Sequence, residues 1–228
     1  MENKKGRVVI VKIQACFFDV DGTILNTLTT ITHYGNVALT HFGYPGLTQE
    51  DYRRFVGNGA RVLIERLMQA DSIPAGKFDA IYEYYMAAYD ADPAYLTEPF
   101  DGIGSILTDL RHRGVFLSVL SNKPQYATEQ SVCRYFGNVF DEIHGGRDGV
   151  PLKPSPDVLL DMIARRGLSP DACVMIGDSD VDIKTAANAG VHSCGVEWGF
   201  RSRAELLSAG AEYLAGTAEE LRHFLLAD

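Results

Sequence analysis

Two aspartates separated by one residue, Asp19 and Asp21, follow an apolar run that ends at Phe18. In an extended strand such residues lie on the same face about 6.6 Å apart, so both carboxylates can face one pocket. Like charges repel unless a cation lies between them, which makes the pair suitable for metal-dependent chemistry. Gly22 comes next and can turn the chain away from the sheet edge, where α/β proteins bind ligands. Taken alone, the segment also fits an ordinary polar turn.

Three further polar segments follow in order along the chain. Ser121 and Asn122 come directly after an apolar run. Lys153 stands ahead of a helical pattern, and Asp178 follows another apolar run. Each segment alone fits a helix cap or a solvated turn. Their occurrence in this order after the aspartate pair, at or near the ends of predicted strands, favours one shared site.

The elements that position these residues follow from the hydrophobic pattern. From Asp101 onward, short β-rich runs alternate with amphipathic helical patterns, which is typical of a parallel sheet covered on both faces. Strands are predicted at 115–120, 172–176 and 191–196, and the helices between them end at glycines. The fold class is therefore α/β, with a doubly wound, Rossmann-like parallel sheet as the core.

A different pattern lies between Asn26 and Pro99, where helical periodicity dominates and no β-rich run is evident. The clearest helices are predicted at 61–68 and 78–89, with Pro74 and Gly76 as breakers between them. This segment is interpreted as an inserted α-helical cap. The predicted domains are a catalytic core of residues 1–25 and 99–228, and a cap of residues 26–98.

Composition narrows the class of protein. A chain of 228 residues with 46% apolar residues is long enough for a full core and a smaller inserted domain. A net charge of −9 argues against a nucleic-acid partner, because that contact needs clustered Lys and Arg. The charged N-terminal segment and the apolar run at 8–13 resemble neither a signal peptide nor a membrane span. A cytoplasmic protein without a membrane partner is expected.

The cysteines show neither paired spacing nor the density of a disulfide-rich domain; they are Cys16, Cys133, Cys173 and Cys194. All are predicted to be buried, reduced thiols without a role in the chemistry.

The four polar segments resemble the four motifs of the haloacid-dehalogenase-like phosphohydrolase superfamily. Residues 55–60 and 195–201 resemble loops of its phosphoglycolate phosphatase family, and the similarity runs from about Ala15 to the C-terminus. The resemblance implies that Asp19 attacks phosphorus and forms an aspartyl-phosphate. It implies that Asp21 protonates the leaving alkoxide and then activates water.

The same resemblance assigns the remaining core residues. Phosphate oxygens are held by Ser121 and the backbone N–H of Asn122, Thr23 belongs to the substrate-binding set, and Lys153 supplies fixed positive charge. Mg²⁺ is held by the side chains of Asp19 and Asp178 and by the main-chain carbonyl of Asp21. Zinc is disfavoured because no His or Cys lies in these motifs. Asp182 supports the site by holding Lys153 or a metal-bound water.

The cap must recognise the leaving group. Backbone N–H groups of Gly57, Asn58 and Gly59 could hold a small carboxylate, and Arg61 could add positive charge. A plain cap turn and a surface arginine account for these residues equally well. Arg201 is a further candidate for substrate contact, although a solvated loop charge is favoured there.

The leading hypothesis is a Mg²⁺-dependent phosphatase that acts on a small phosphorylated metabolite as a monomer or homodimer. The family-implied reaction is hydrolysis of 2-phosphoglycolate to glycolate and phosphate. A pyrophosphatase, a sugar-phosphate phosphatase or a β-phosphoglucomutase-like enzyme on the same scaffold stays open. A non-enzymatic phospho-acceptor signalling domain is disfavoured, because it needs neither an acid at Asp21 nor a cap.

Overall fold

The centre of the fold is a six-stranded parallel sheet. The computed structural model describes residues 12–227. Its strands are β1 (Ala15–Phe18), β2 (Leu25–Asn26), β3 (Glu98–Pro99), β4 (Phe116–Pro124), β5 (Glu142–Gly146), β6 (Cys173–Gly177), β7 (His192–Val196) and β8 (Tyr213–Ala215). The sheet order is β5-β4-β1-β6-β7-β8, and every neighbouring pair is parallel. Because β4 and β6 flank the fully buried β1, three strand ends meet at the switch point where ligands of such sheets bind.

Residues 12–227 form ten α-helices, and the later ones pack on both faces of the sheet. They are α1 (Leu28–His41), α2 (Gln49–Phe55), α3 (Ala60–Ala70), α4 (Phe78–Ala91), α5 (Ile103–His112), α6 (Gln125–Phe136), α7 (Asp157–Arg166), α8 (Asp180–Ala189), α9 (Arg203–Ser208) and α10 (Ala218–Leu226). Side chains of β1 alternate between two apolar clusters, with Phe18 packed among residues of α5 and α10 and Phe17 among residues of α7 and α8. The predicted doubly wound α/β core is confirmed. Across residues 12–227, each helix is too short or too polar to cross a membrane.

The first four helices pack around a third apolar cluster of their own, which includes Ile64, Leu67 and Tyr85. Helices α3 and α4 match the predicted ones, whereas α1 and α2 were not individually predicted. The chain enters and leaves this segment through β2 and β3, which pair antiparallel. These two-residue strands are too short for a periodicity to reveal them. The division into core and cap at 26 and 98 stays a prediction.

Two details differ from expectation. Strand β4 continues through Pro124, so the polar residues at 121–124 belong to the strand instead of following it. Cys133 is exposed, so its predicted burial is wrong. Ser131 and Val132 occupy the buried face of α6, and Cys133 lies beside that face and not on it. The other three cysteines are buried as predicted, and burial raises the pKa of Cys194 to about 12. The charged N-terminal segment lies outside the described residues.

Candidate active site

The end of β1 places Asp19 and Asp21 at the carboxyl edge of the sheet. The backbone N–H of Asp19 donates to the carbonyl of Ile176 on β6 (2.9 Å), which extends the strand pairing by one residue. Gly22 then turns the chain with φ of +84°, and a Cβ there would lie 2.4 Å from Oδ2 of Asp178. Only glycine satisfies both the backbone angle and this close approach.

A cavity lies over these strand ends, and α1, α3, α4 and the segment between α2 and α3 form its opposite wall. From the sheet edge and its loops it is lined by Asp19, Asp21, Ser121, Asn122, Lys123, Pro124, Asp178, Ser179, Phe200 and Arg201. From the helical segment it is lined by Ile31, Val56, Gly57, Gly59, Ala60, Leu63, Tyr85, Met86 and Tyr89. The cavity is therefore acidic and polar on one side and largely apolar on the other.

Three buried carboxylates, those of Asp19, Asp178 and Asp182, have oxygen atoms within 4.8 Å of one another. Oδ2 of Asp178 accepts a hydrogen bond from the backbone N–H of Phe200 (2.7 Å). Burial, followed by the charges of Asp182 and Asp19, raises the pKa of Asp178 well above its ordinary value. Concentrated negative charge of this kind is stabilised by a cation, and a set of oxygen ligands suits Mg²⁺.

Both oxygens of Asp182 are engaged by Lys153 and by the residue that caps α8. Oδ1 accepts a hydrogen bond from Nζ of Lys153 (2.6 Å). Oδ2 accepts from the backbone N–H (3.1 Å) and hydroxyl (2.6 Å) of Ser179, which caps α8. The contact supports the prediction that Asp182 holds Lys153, and it leaves Asp19 and Asp178 as the carboxylates available to a metal ion.

Lys153 connects Asp182 to Asp19, since its Nζ also lies 3.0 Å from Oδ1 of Asp19. That oxygen is buried and makes no hydrogen bond within the described chain. Burial lowers the pKa of Lys153, but the two carboxylates outweigh it, and the pKa is raised overall. Burial also raises the pKa of Asp19 to about 6, with Lys153 opposing the shift. Lys153 therefore supplies a permanent positive charge beside a carboxylate that still lacks a full set of partners.

Asn122 joins three segments through its side chain. Nδ2 donates to the carbonyls of Gly57 (3.0 Å) and Lys153 (2.9 Å), while Oδ1 accepts from the backbone N–H of Lys153 (2.8 Å). Ser121 lines the cavity beside it. The amide thus fixes the loop of Lys153 against β4 and contacts the segment between α2 and α3.

Sequence reasoning missed Lys123. Its Nζ donates to Oδ1 of Asp21 (3.0 Å) and to the hydroxyl of Tyr89 on α4 (2.6 Å). A signal was available, because Lys123 lies two residues after Ser121 in a strand and therefore shares its face. The ammonium group is a second buried cation in the site.

Three predicted substrate-binding residues do not line the cavity. Thr23 donates its hydroxyl hydrogen to Oδ1 of Asp178 (3.3 Å), so it supports the acidic cluster. Asn58 accepts a hydrogen bond from Arg66 (2.8 Å). The guanidinium of Arg61 lies 4.8 Å from the ring centroid of Phe78, where a cation–π contact holds it. Of the predicted cap residues, Gly57 and Gly59 line the cavity.

The sequence favoured a solvated loop charge for Arg201, but in the structure this side chain makes a specific contact. Its Nη1 donates to the carbonyl of Arg53 (2.6 Å) and its Nη2 to that of Val56 (2.7 Å), both at the end of α2. In return, Nη1 of Arg53 donates to the carbonyl of Gly199 (3.0 Å). This pair of contacts, the Arg53–Arg201 clasp, joins α2 to the loop after β7, whose Phe200 holds Asp178.

The fold and site define an α/β enzyme whose acidic centre lies at the carboxyl ends of parallel strands. The family model described as haloacid dehalogenase-like hydrolase matches residues 16–196. Phosphoglycolate phosphatase 1 of Pseudomonas aeruginosa is 32% identical over 193 residues, which cover 80% of this chain and 69% of the relative. A phosphoglycolate phosphatase of Cereibacter sphaeroides is 34% identical over 188 residues, covering 81% of this chain and 85% of the relative.

A solved structure agrees with these matches. The crystal structure of a Lactobacillus delbrueckii subsp. bulgaricus protein, named provisionally as a phosphoglycolate phosphatase, superposes with a TM-score of 0.87 at 32% identity. The superposition covers 96% of this chain and 100% of that one. The chain belongs to the haloacid dehalogenase-like hydrolase family and, within it, to the phosphoglycolate phosphatase family.

Proposed function

We propose that this enzyme is a Mg²⁺-dependent phosphatase that hydrolyses 2-phosphoglycolate to glycolate and phosphate. The observation that carries the proposal is the contact between Lys153 and Asp19, 3.0 Å apart, beside the buried carboxylate of Asp178. A nucleophilic carboxylate, a fixed cation and a place for a metal ion are what hydrolysis of a dianionic phosphomonoester requires. The choice of substrate draws on the names of the relatives.

The oxygen atoms at the centre of the site fit a magnesium ion. Oxygen atoms of Asp19 and Asp178 lie within 4.8 Å of each other, and burial raises the pKa of both carboxyl groups. The side chains of Asp19 and Asp178 and the main-chain carbonyl of Asp21 would hold the ion. When bound, Mg²⁺ would neutralise negative charge on the carboxylates and the phosphoryl oxygens.

The chain's own residues account for the two chemical steps. Asp19 attacks phosphorus, the bond to the substrate oxygen breaks, and Asp21 gives its proton to the leaving alkoxide. Asp21 then takes a proton from water, whose oxygen attacks the aspartyl-phosphate and releases phosphate and free Asp19. Ser121 and the backbone of Asn122 hold phosphate oxygens, and Lys153 balances their charge. A cytoplasmic location and a monomeric or homodimeric state remain predictions.

A substrate comparison tests the proposal. Purified enzyme is assayed for phosphate release from 2-phosphoglycolate, pyrophosphate, glucose 6-phosphate and an aryl phosphate, with Mg²⁺ or with a chelator, and Asp19→Asn serves as the inactive control. We expect the highest kcat/KM for 2-phosphoglycolate and loss of activity with chelator. A preference for pyrophosphate or sugar phosphates contradicts the substrate, while full activity of Asp19→Asn contradicts the mechanism.

A further inference from the structure

Lys123 is a buried cation that the two steps above do not use. Its side chain is only 3% exposed, yet it lines the cavity. It contacts Oδ1 of Asp21 and the Tyr89 hydroxyl, and its Nζ lies 4.6 Å from the Tyr89 ring centroid. Burying an ammonium group is costly, so its position indicates a specific purpose.

The ammonium group retains hydrogen-bonding capacity. A protonated lysine has three N–H donors, and within residues 12–227 the hydrogen-bond partners of Lys123 are Asp21 and Tyr89. One N–H therefore remains for a ligand. Because Asp21 is the proposed acid for the leaving oxygen, an anion bound by this N–H would lie next to the leaving group.

The other cation that lines the cavity is held against the end of α2 instead of at Asp21. Both terminal nitrogens of Arg201 donate to the carbonyls of Arg53 and Val56. Arg61, the cation predicted for this task, lies against Phe78 outside the cavity. Among the cavity-lining residues within 12–227, Lys123 is thus the cation hydrogen-bonded to the proposed acid Asp21.

We propose that Lys123 binds the carboxylate of the substrate's leaving group and makes the enzyme selective for phosphorylated hydroxy acids. Tyr89, on α4, positions the ammonium group. The inference rests on the proposed function, since it assumes a small substrate with a phosphate at one end and a carboxylate at the other. Lys153 and the metal ion serve the phosphate end, and Lys123 serves the carboxylate end.

A matched pair of substrates tests this role. 2-Phosphoglycolate and 2-hydroxyethyl phosphate have similar sizes, and the second carries a neutral hydroxymethyl group in place of the carboxylate. Lys123→Met also removes the partner of Asp21, but that loss affects both substrates, so the ratio of their kcat/KM values isolates recognition of the carboxylate. We expect the ratio to fall by about 100-fold in Lys123→Met, as is typical when one partner of a buried charged pair is removed.

Two further variants complete the experiment. Tyr89→Phe is expected to lower the ratio by a smaller factor, mainly through a higher KM for 2-phosphoglycolate, and Lys77→Met replaces an exposed lysine and should leave the ratio unchanged. If the wild type prefers 2-phosphoglycolate and the kcat/KM ratio falls by less than about tenfold in Lys123→Met, the proposed role of Lys123 is overturned. A wild type without that preference contradicts the proposed substrate as well. Residual hydrolysis of 2-hydroxyethyl phosphate shows that the variant has folded.

Discussion

Lys153 donates a hydrogen bond of 2.6 Å to Asp182, and both side chains are almost completely buried. Removal of one partner of a buried pair leaves an uncompensated charge, whereas removal of both does not. We expect Lys153→Met to lower the free energy of unfolding by about 3 kcal/mol in metal-free buffer, measured by urea denaturation. The double variant with Asp182→Asn should recover at least half of this loss. Phosphatase activity should be absent in both, because the charge beside Asp19 is gone.

The outcome that contradicts this interpretation is a double variant as unstable as Lys153→Met alone. The instability would then come from lost packing around the lysine stem and not from the unpaired carboxylate of Asp182.

Asp21→Asn tests the general acid. The amide cannot protonate a leaving alkoxide, so kcat for 2-phosphoglycolate should fall by about 100- to 10,000-fold. An aryl phosphate has a leaving group that needs little protonation, and its first step should be much less affected. Steady-state assays with both substrates, together with the burst of phenol release, separate the two steps. Full turnover of 2-phosphoglycolate by Asp21→Asn would remove Asp21 from the mechanism.

The location of the site was predictable because strand ends are visible in the sequence, while the roles of its residues came from the resemblance to the superfamily's four motifs. Asp19, Ser121 and Asp178 each follow or end an apolar run, and the carboxyl ends of parallel strands meet at one edge of a sheet. The doubly wound core followed from the same alternation of strands and helices. The location of the site and the doubly wound core could both be predicted without knowing any side-chain contact between distant segments.

The contacts between the helical segment and the sheet were not predictable in the same way. Lys123 and Tyr89 are 34 residues apart, and their contact depends on how α4 lies over β4, which no local pattern encodes. Arg61 was assigned to the substrate on charge alone, but two aromatic rings of α4 compete for its guanidinium. The two-residue strands β2 and β3 give no periodicity to detect.

The Arg53–Arg201 clasp should affect substrate binding more than chemistry. Arg201→Ala removes the hydrogen bonds to the end of α2. The helical segment should then be more mobile above the cavity. We expect KM for 2-phosphoglycolate to rise about tenfold and cleavage by a protease near residues 56–60 to become faster. Arg54→Ala is the matched control, because that exposed side chain pairs with Asp51 on its own helix. Equal effects of the two variants would contradict a role for the clasp.

Outside the active site, Glu142 on β5 should make the free energy of unfolding depend on pH. Hydrogen bonds from Arg165, assisted by His144 and Arg166 and opposed by burial, lower the pKa of Glu142 from 4.5 to about 2. The unfolded chain therefore takes up a proton near pH 4.5 while the folded protein stays ionised. The stabilisation is complete above that pH and is lost as pH falls towards 2.

Glu142→Gln should accordingly lower the free energy of unfolding at neutral pH by about 1–2 kcal/mol, a value reduced by the solvent exposure of the arginines. The difference from the wild type should narrow steadily in urea titrations carried out below pH 4.5. Asp161→Asn removes a more exposed partner of Arg165, 63% accessible, and should cost less than about 0.5 kcal/mol. A Glu142→Gln difference that stays constant with pH would show that the carboxylate contributes through hydrogen-bond geometry and not through its charge.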